Sequence, residues 1–300
     1  MRRREVRGLL TWILGLSLAA GVTAQGAPPV VAERSAGVSR EDCFPLERLP
    51  ASLRPQAEAM LLQLMDTEGL YTVIGGIKPM SSGFWSARVD VESPQLAEVI
   101  AAETILRQFR VGDQIVAGVQ PFSRAFEGRR FFEGLIFHRG SYERAVSARP
   151  EVFGGYGIHA GTPPLQAVLM FESDSTSRRF RAYGHLFGYP DVAVDFFARS
   201  ADAQKPGDPI VPRDFRQIPV FARETGAFVY AVAKGAPETE EDRALRERSL
   251  RILAKYRSLR AQYVGEGKPG IVALIRDWMD DGSGRLSPET AYEKAQKAGG

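Results

Sequence analysis

The first 24 residues decide what the rest of this chain has to fold with. Arg2, Arg3, Arg4 and Arg7 precede an uncharged, largely apolar run from Leu9 to Ala20, and Val22-Thr23-Ala24 puts compact residues just before Gln25. A positive start, a short apolar centre and small residues at its end form the pattern of a secretory signal, here cleaved after about Ala24. A spanning helix needs roughly 20 apolar residues. This run has 12 before Gly21, Thr23 and Gln25 dilute it. The arginines lack the apolar followers that twin-arginine export favours, so a Sec-type signal is expected. No cysteine follows the run, which argues against a lipid anchor. The expected product is an exported periplasmic or extracellular protein with no stable membrane anchor.

Cleavage changes the charge of what remains. The whole chain has 39 basic and 36 acidic residues; taking away the signal's four arginines and one glutamate leaves 35 of each. A nucleic-acid partner, which needs a persistent basic field, is therefore not expected. The one cysteine, Cys43, rules out an intramolecular disulfide framework, and cysteine-rich zinc sites with it. Stability has to come from a core built by about 275 residues, enough for one large domain or two small ones. Cys43 itself reads as a thiol tucked against that core.

Residues 25–42 lack periodicity and read as a mobile leader; residues 43–300 read as one globular domain with a helical C-terminal part, 238–300. Leu53, Ala57, Met60, Leu61 and Leu64 recur at helical spacing, stopped by Gly69. Leu70–Ile77 and Phe84–Val91 read as strands flanking KPMSSG in a hairpin or bulged pair. A helix over 94–109 is expected to face Leu96, Val99, Ile100, Ile105 and Leu106 inward. Strands follow at 114–122 and 130–138. Leu165–Phe171 is apolar enough for a buried strand or a buried helix, and its period does not decide. Helices are expected from Ser175 to Leu186 and after Pro190, then a Pro-rich loop over 205–219 and a strand over 227–233. Glu238–Val264 carries Leu245, Leu250, Leu253, Tyr256, Leu259 and Tyr263 between charges, the pattern of a long amphipathic helix. Shorter helices close the chain at 271–279 and 288–298. Intermingled strands and helices indicate an α+β fold with a mixed or antiparallel sheet.

The candidate chemistry is sparse. His138, His159 and His185 are the only histidines, and imidazole is the natural general base near neutral pH. Glu133, Glu172 or Asp191 could add a carboxylate, but no pair has a metal-ligand spacing, and no metal or cofactor is expected. His159 stands in a glycine-dense loop, 154–161, where backbone can approach a ligand closely. Asp66 and Glu68 sit near a helix C-terminus, where the dipole disfavours carboxylates. Lys78 lies beside Ser81 and Ser82, although the order is Lys-x-x-Ser and not Ser-x-x-Lys. Arg124, Arg129, Arg130 and Arg139 cluster around a phenylalanine-rich strand, as an anion site or a solvated sheet face. Met279–Thr290 resembles an EF-hand calcium loop with its glycine at position six. Met279 and Thr290, however, replace the two anchoring carboxylates, so a tight turn before a Ser287-capped helix explains the same residues. No Walker loop or G-x-S-x-G elbow occurs.

Two functions fit these residues. One is a non-catalytic binding or interaction domain of the cell envelope, with a protein or small molecule as partner. The other is an envelope hydrolase using His159, His185, His138 or Glu68, sited near His159 and the 71–82 hairpin. Convergence of the histidines, with one another or with Glu68, would favour the enzyme. A third role, assembly through the long helix, would require an exposed apolar stripe there.

Overall fold

The computed structural model describes residues 37–205 and 207–297; the segment read as a signal and most of the segment read as a leader lie outside them. Residues 37–42, the end of the segment read as a leader, are tied down. Val38 and Leu286 exchange backbone hydrogen bonds of 2.9 Å each, and Arg40 pairs with Asp277 at 2.6 Å.

Helix α1 (Arg54–Asp66) buries Ala57, Met60, Leu61 and Leu64, the stripe its spacing announces. The chain then departs from expectation. The β-rich stretch after Gly69 forms a second helix, α2 (Gly69–Val73), and all five of its residues are buried. A segment buried all round has no polar face to mark its period, so composition misleads. The absent side chain at Gly69 lets α2 press on α1, since a β-carbon there would fall 2.6 Å from Leu64 Cγ.

Strands β1 (Met80–Ser81) and β2 (Ser86–Asp90) do not pair with each other. They lie end to end along one edge of a later strand, interrupted at Gly83, whose φ is +78°. The expected hairpin does not form: its first strand is α2 and the turn after it, and Met80–Ser81 of the expected turn continues with β2 as one broken edge strand. Helix α3 (Ala97–Leu106) buries Val99, Ala102, Ile105 and Leu106. Leu96 and Ile100 stay 45% and 58% exposed, contrary to expectation. Positions 99, 102, 105 and 106 share one face, and Ile100 points about 100° away from Val99.

Strands β3 (Ile115–Phe126) and β4 (Arg129–His138) form a long antiparallel hairpin. Its two-residue turn, Glu127-Gly128, has φ of +49° and +73°, the doubly left-handed turn whose twist matches the strands. β4 is the centre of the sheet, with β3 on one side and β1 and β2 on the other. Helices α4 (Arg139–Ser147), α5 (Pro150–Phe153), α6 (Pro164–Glu172), α7 (Ser177–Leu186) and α8 (Asp191–Ala203) follow. α6 resolves the ambiguous apolar run as a helix. Ala167, Val168 and Phe171 are buried while Leu169 and Met170 are exposed, a helical alternation. The Pro-rich loop contains a strand, β5 (Arg213–Gln217), paired antiparallel with β6 (Val229–Ala233). Helices α9 (Glu240–Tyr263), α10 (Ile271–Met279) and α11 (Pro288–Lys297) complete the fold.

The central sheet is covered on both faces. Ile136 joins a core with residues of α1, α2, α3, α9 and α10. Its neighbours Leu135 and Phe137 point the other way, into a second core with α4, α6 and α7. Alternation along one strand thus divides the protein into two apolar layers. The result is an α+β fold with antiparallel sheets. The stripe of α9 is used internally: Leu245, Leu253 and Tyr256 are buried, and only Leu250, at 37%, is substantially exposed. The exposed stripe that an assembly role requires is not there. No described helix is long and apolar enough to cross a membrane. Cys43 is fully buried, with Sγ 3.9 Å from Met279 Sδ, and burial pushes its thiol up to about 12.

Candidate functional site

A cleft opens where four parts of the fold meet: the turn from Ile74 to Pro79, helix α4, the junction between α7 and α8, and the first turns of α9. It encloses about 500 Å³ and continues into a second hollow of about 530 Å³, sharing Arg149, His185 and Asp191 with it. Glycine makes the turn possible. Gly75 and Gly76 have φ of +73° and +59°, where a β-carbon is strained. A β-carbon on Gly75 would fall 2.5 Å from Tyr292 Cδ2, and one on Gly76 2.5 Å from His138 Cγ. α11 and α4 therefore press on the bare backbone and fix that wall.

The junction supplies the cleft's acid–base groups. α7 ends at Leu186 and Pro190 is the N-cap of α8, placing Asp191 in its first turn, where the dipole favours a carboxylate. Arg149 donates to both Asp191 oxygens, at 2.5 and 2.7 Å, and this bond raises the guanidinium above its ordinary value. His185 Nδ1 lies 3.5 Å from Asp191 Oδ1. Burial, and then the Arg149 charge, hold His185 below the usual histidine value, while Asp191 pulls the other way. Its proton midpoint, followed by NMR, should therefore lie below 6.5 in the native protein. Asp191→Asn removes the group that favours the imidazolium and should lower it further. A midpoint that rises in the variant would contradict this account.

Glu241 stands on α9, whose start is fixed by reciprocal bonds between Thr239 and Asp242 of 2.8 and 3.0 Å, a capping box. Partial burial raises the Glu241 carboxyl above its usual range, and the charges of Asp191 and Asp242 add to this. Two arginines remain without an acidic partner. Arg144 donates to Ser141 Oγ at 2.8 Å and Arg248 to Ala244 O at 3.2 Å. Neither has a carboxylate within 4.0 Å among the described residues.

The residues singled out from sequence fall in different places. His185 lines the cleft. His138 lies just beneath it and is buried: Nδ1 accepts the Ser141 N–H at 3.1 Å, and Nε2 meets Glu289 Oε1 at 3.1 Å. Because Nδ1 accepts, the neutral ring carries its proton on Nε2. His159 is exposed and lines neither hollow; its Nδ1 accepts the Gly161 N–H at 3.1 Å. Glu68 is behind the turn, where it pairs with Lys78 and accepts the Phe228 N–H at 2.9 Å. Lys78 is fully buried, with Nζ 4.2 Å from the Phe228 ring centroid. Ser81 Oγ contacts Thr72 Oγ1 at 2.8 Å and Glu68 O at 3.1 Å.

Other candidates have local partners. Asp66 receives Arg260 at 2.7 and 2.8 Å and Tyr256 at 2.7 Å. Glu172 accepts from Tyr183 at 2.6 Å. Arg130 bonds backbone oxygens of Phe122 and Ser123, and Arg139 reaches Asp113 and Glu143, so the arginine cluster does not converge on an anion. In the calcium-like loop, Asp280 accepts from Gly282 and Gly284, Asp281 accepts from Ser283, and Ser287 caps α11 through Thr290. Its carboxylates serve the loop's own N–H groups. Among the described residues no three histidine, cysteine or carboxylate side chains gather as a metal would require.

Sequence reasoning missed Arg144, Arg149, Arg248 and Glu241. The i, i+4, i+7 spacing of Glu241, Leu245 and Arg248 did put them on one helix face. Nothing local showed that this face meets α4 and the glycine turn. Compared with known proteins, the chain matches no family model, no curated protein and no solved structure.

Proposed function

We propose that this chain is an exported, non-catalytic binding protein of the cell envelope whose cleft takes a small anionic ligand. The observation that carries the reading is the pair Arg144 and Arg248, two exposed guanidiniums on one cleft with no carboxylate partner among the described residues. Guanidinium forks recognise carboxylate and phosphate bidentately, and a cleft of this size suits a small molecule. The neighbouring Arg149 is committed to Asp191 and keeps that carboxylate from quenching the other two. Export supplies the setting, argued from the signal pattern alone. Calorimetric titration of the purified protein with succinate and with inorganic phosphate is expected to show salt-sensitive binding of at least one. Arg144→Ala and Arg248→Ala should each weaken it about tenfold, roughly 1.4 kcal/mol. Binding that ignores both substitutions, or no binding at all, would remove this reading.

A hydrolase is the second reading, favoured by one observation: His185, held neutral beside Asp191, opens onto the same cleft. A neutral imidazole beside a carboxylate on a cleft can serve as a general base. This moves the alternative site to His185, away from His159. Hydrolysis of an ester or peptide that vanishes in His185→Gln, with anion binding intact, would put it first.

A further inference from the structure

The cleft holds an unpaired anion as well as unpaired cations, and their spacing is set by one helix. Glu241 and Arg248 are seven residues apart on α9, with Leu245 between them on the same face. Seven residues span two turns, about 10.5 Å along the axis. Glu241 forms no ion pair among the described residues. Asp191 and Asp242 add negative charge near it, and Arg149 and Arg248 offset part of that charge. Arg248, and Arg144 on the same cleft, have no carboxylate partner among the described residues. Ile77, Pro79, Leu245, Tyr189 and Tyr292 give the cleft an apolar and aromatic part of its wall. Tyr189 is held by stacking on Phe228, with ring centroids 6.1 Å apart, so the wall is preformed.

We infer that the cleft binds a short peptide by both of its charged ends, the ammonium at Glu241 and the carboxylate at Arg248 and Arg144. This rests on the anion-site reading and narrows it to a zwitterion of defined length. An extended chain covers roughly 3.5 Å per residue. Along the helix axis the two positions lie farther apart than the ends of a free amino acid. Two residues, or three, bridge the gap once the Glu and Arg side chains lean toward each other. Leu245, midway, meets the peptide's middle, where no charge is to be held.

The test is calorimetric titration of the purified protein with alanine, dialanine, trialanine, N-acetyl-dialanine and dialanine amide, alongside succinate. Dialanine or trialanine should bind at least tenfold more tightly than alanine, and at least tenfold more tightly than either blocked peptide. Glu241→Gln should abolish the preference for a free N-terminus and leave succinate binding in place. Arg248→Ala should abolish the preference for a free C-terminus. Unchanged melting temperatures for the two variants, both altered at exposed positions, would show that folding is not the cause. If N-acetyl-dialanine binds as well as dialanine while Arg248→Ala still weakens succinate, the peptide inference fails and the anion site stands. If neither peptides, nor succinate, nor inorganic phosphate bind, both fail.

Discussion

Glu68→Ala should destabilise the protein by about 3–5 kcal/mol in urea unfolding at neutral pH. In the native protein Glu68 pairs with Lys78, which is wholly buried, and accepts the Phe228 N–H. Burial alone drives the Lys78 amine down from its ordinary value, and Glu68 opposes this without cancelling it. Without Glu68 the amine is left among Phe187, Tyr189 and Phe228 and gives up its proton. The cost is then bounded by deprotonation at pH 7, about 5 kcal/mol for a group whose unfolded value is about 10.5. The sign follows from linkage. The folded variant holds Lys78 neutral while its unfolded chain is protonated, so from neutral pH upward its stability rises by roughly 1.4 kcal/mol per pH unit until about pH 10.5. Glu68→Gln combined with Lys78→Met, which removes both charges, should lose far less. A small loss in Glu68→Ala, or one indifferent to pH, would mean the pair is not what fastens this region.

Gly76→Ala should cost about 2–5 kcal/mol in urea unfolding. Its φ of +59° charges an alanine about 1–2 kcal/mol for left-handed backbone. The new β-carbon would also fall 2.5 Å from His138 Cγ, and closer still to Ser141 Oγ. Neither neighbour can yield cheaply. His138 is held between the Ser141 N–H and Glu289, and Ser141 Oγ donates to Gly76 O at 2.6 Å. Overpacking of this kind costs about 1–3 kcal/mol. Gly83→Ala is the matched control: its φ is +78°, yet a β-carbon there meets nothing within 4 Å, so only the backbone cost remains. Equal melting temperatures for the two variants would show that the packing around Gly76 does not matter.

Both predictions concern the turn from Ile74 to Pro79, where the sequence was least legible. LYTVIGGI has strand composition, and half of it became a helix because α2 is buried on every side and has no polar face to show its period. The broken edge strand was also hidden, since whether two short segments pair with each other or with β4 is a long-range matter. Where one face meets solvent, the reading held. α1, α7, α9 and α10 fall close to their expected limits because polar positions mark the outward side. At the site the same distinction applies. His185 and Asp191 were visible as titratable residues near a proline-marked junction. Arg144 and Arg248 were ordinary surface arginines until the fold put them on one cleft.

The sequence by itself determined the alternation that packs each strand and most helices, and the lone cysteine and therefore a fold without intramolecular disulfides. These depend on residues within a few positions of one another, and local physics is enough to read them. Only the tertiary structure decided that His159 stands apart from His185, that Glu68 serves a buried lysine, and that α9, α4 and the glycine turn share a cleft. Those outcomes rest on contacts between residues scores of positions apart, where burial and charge pairing act through space and leave no period in the chain.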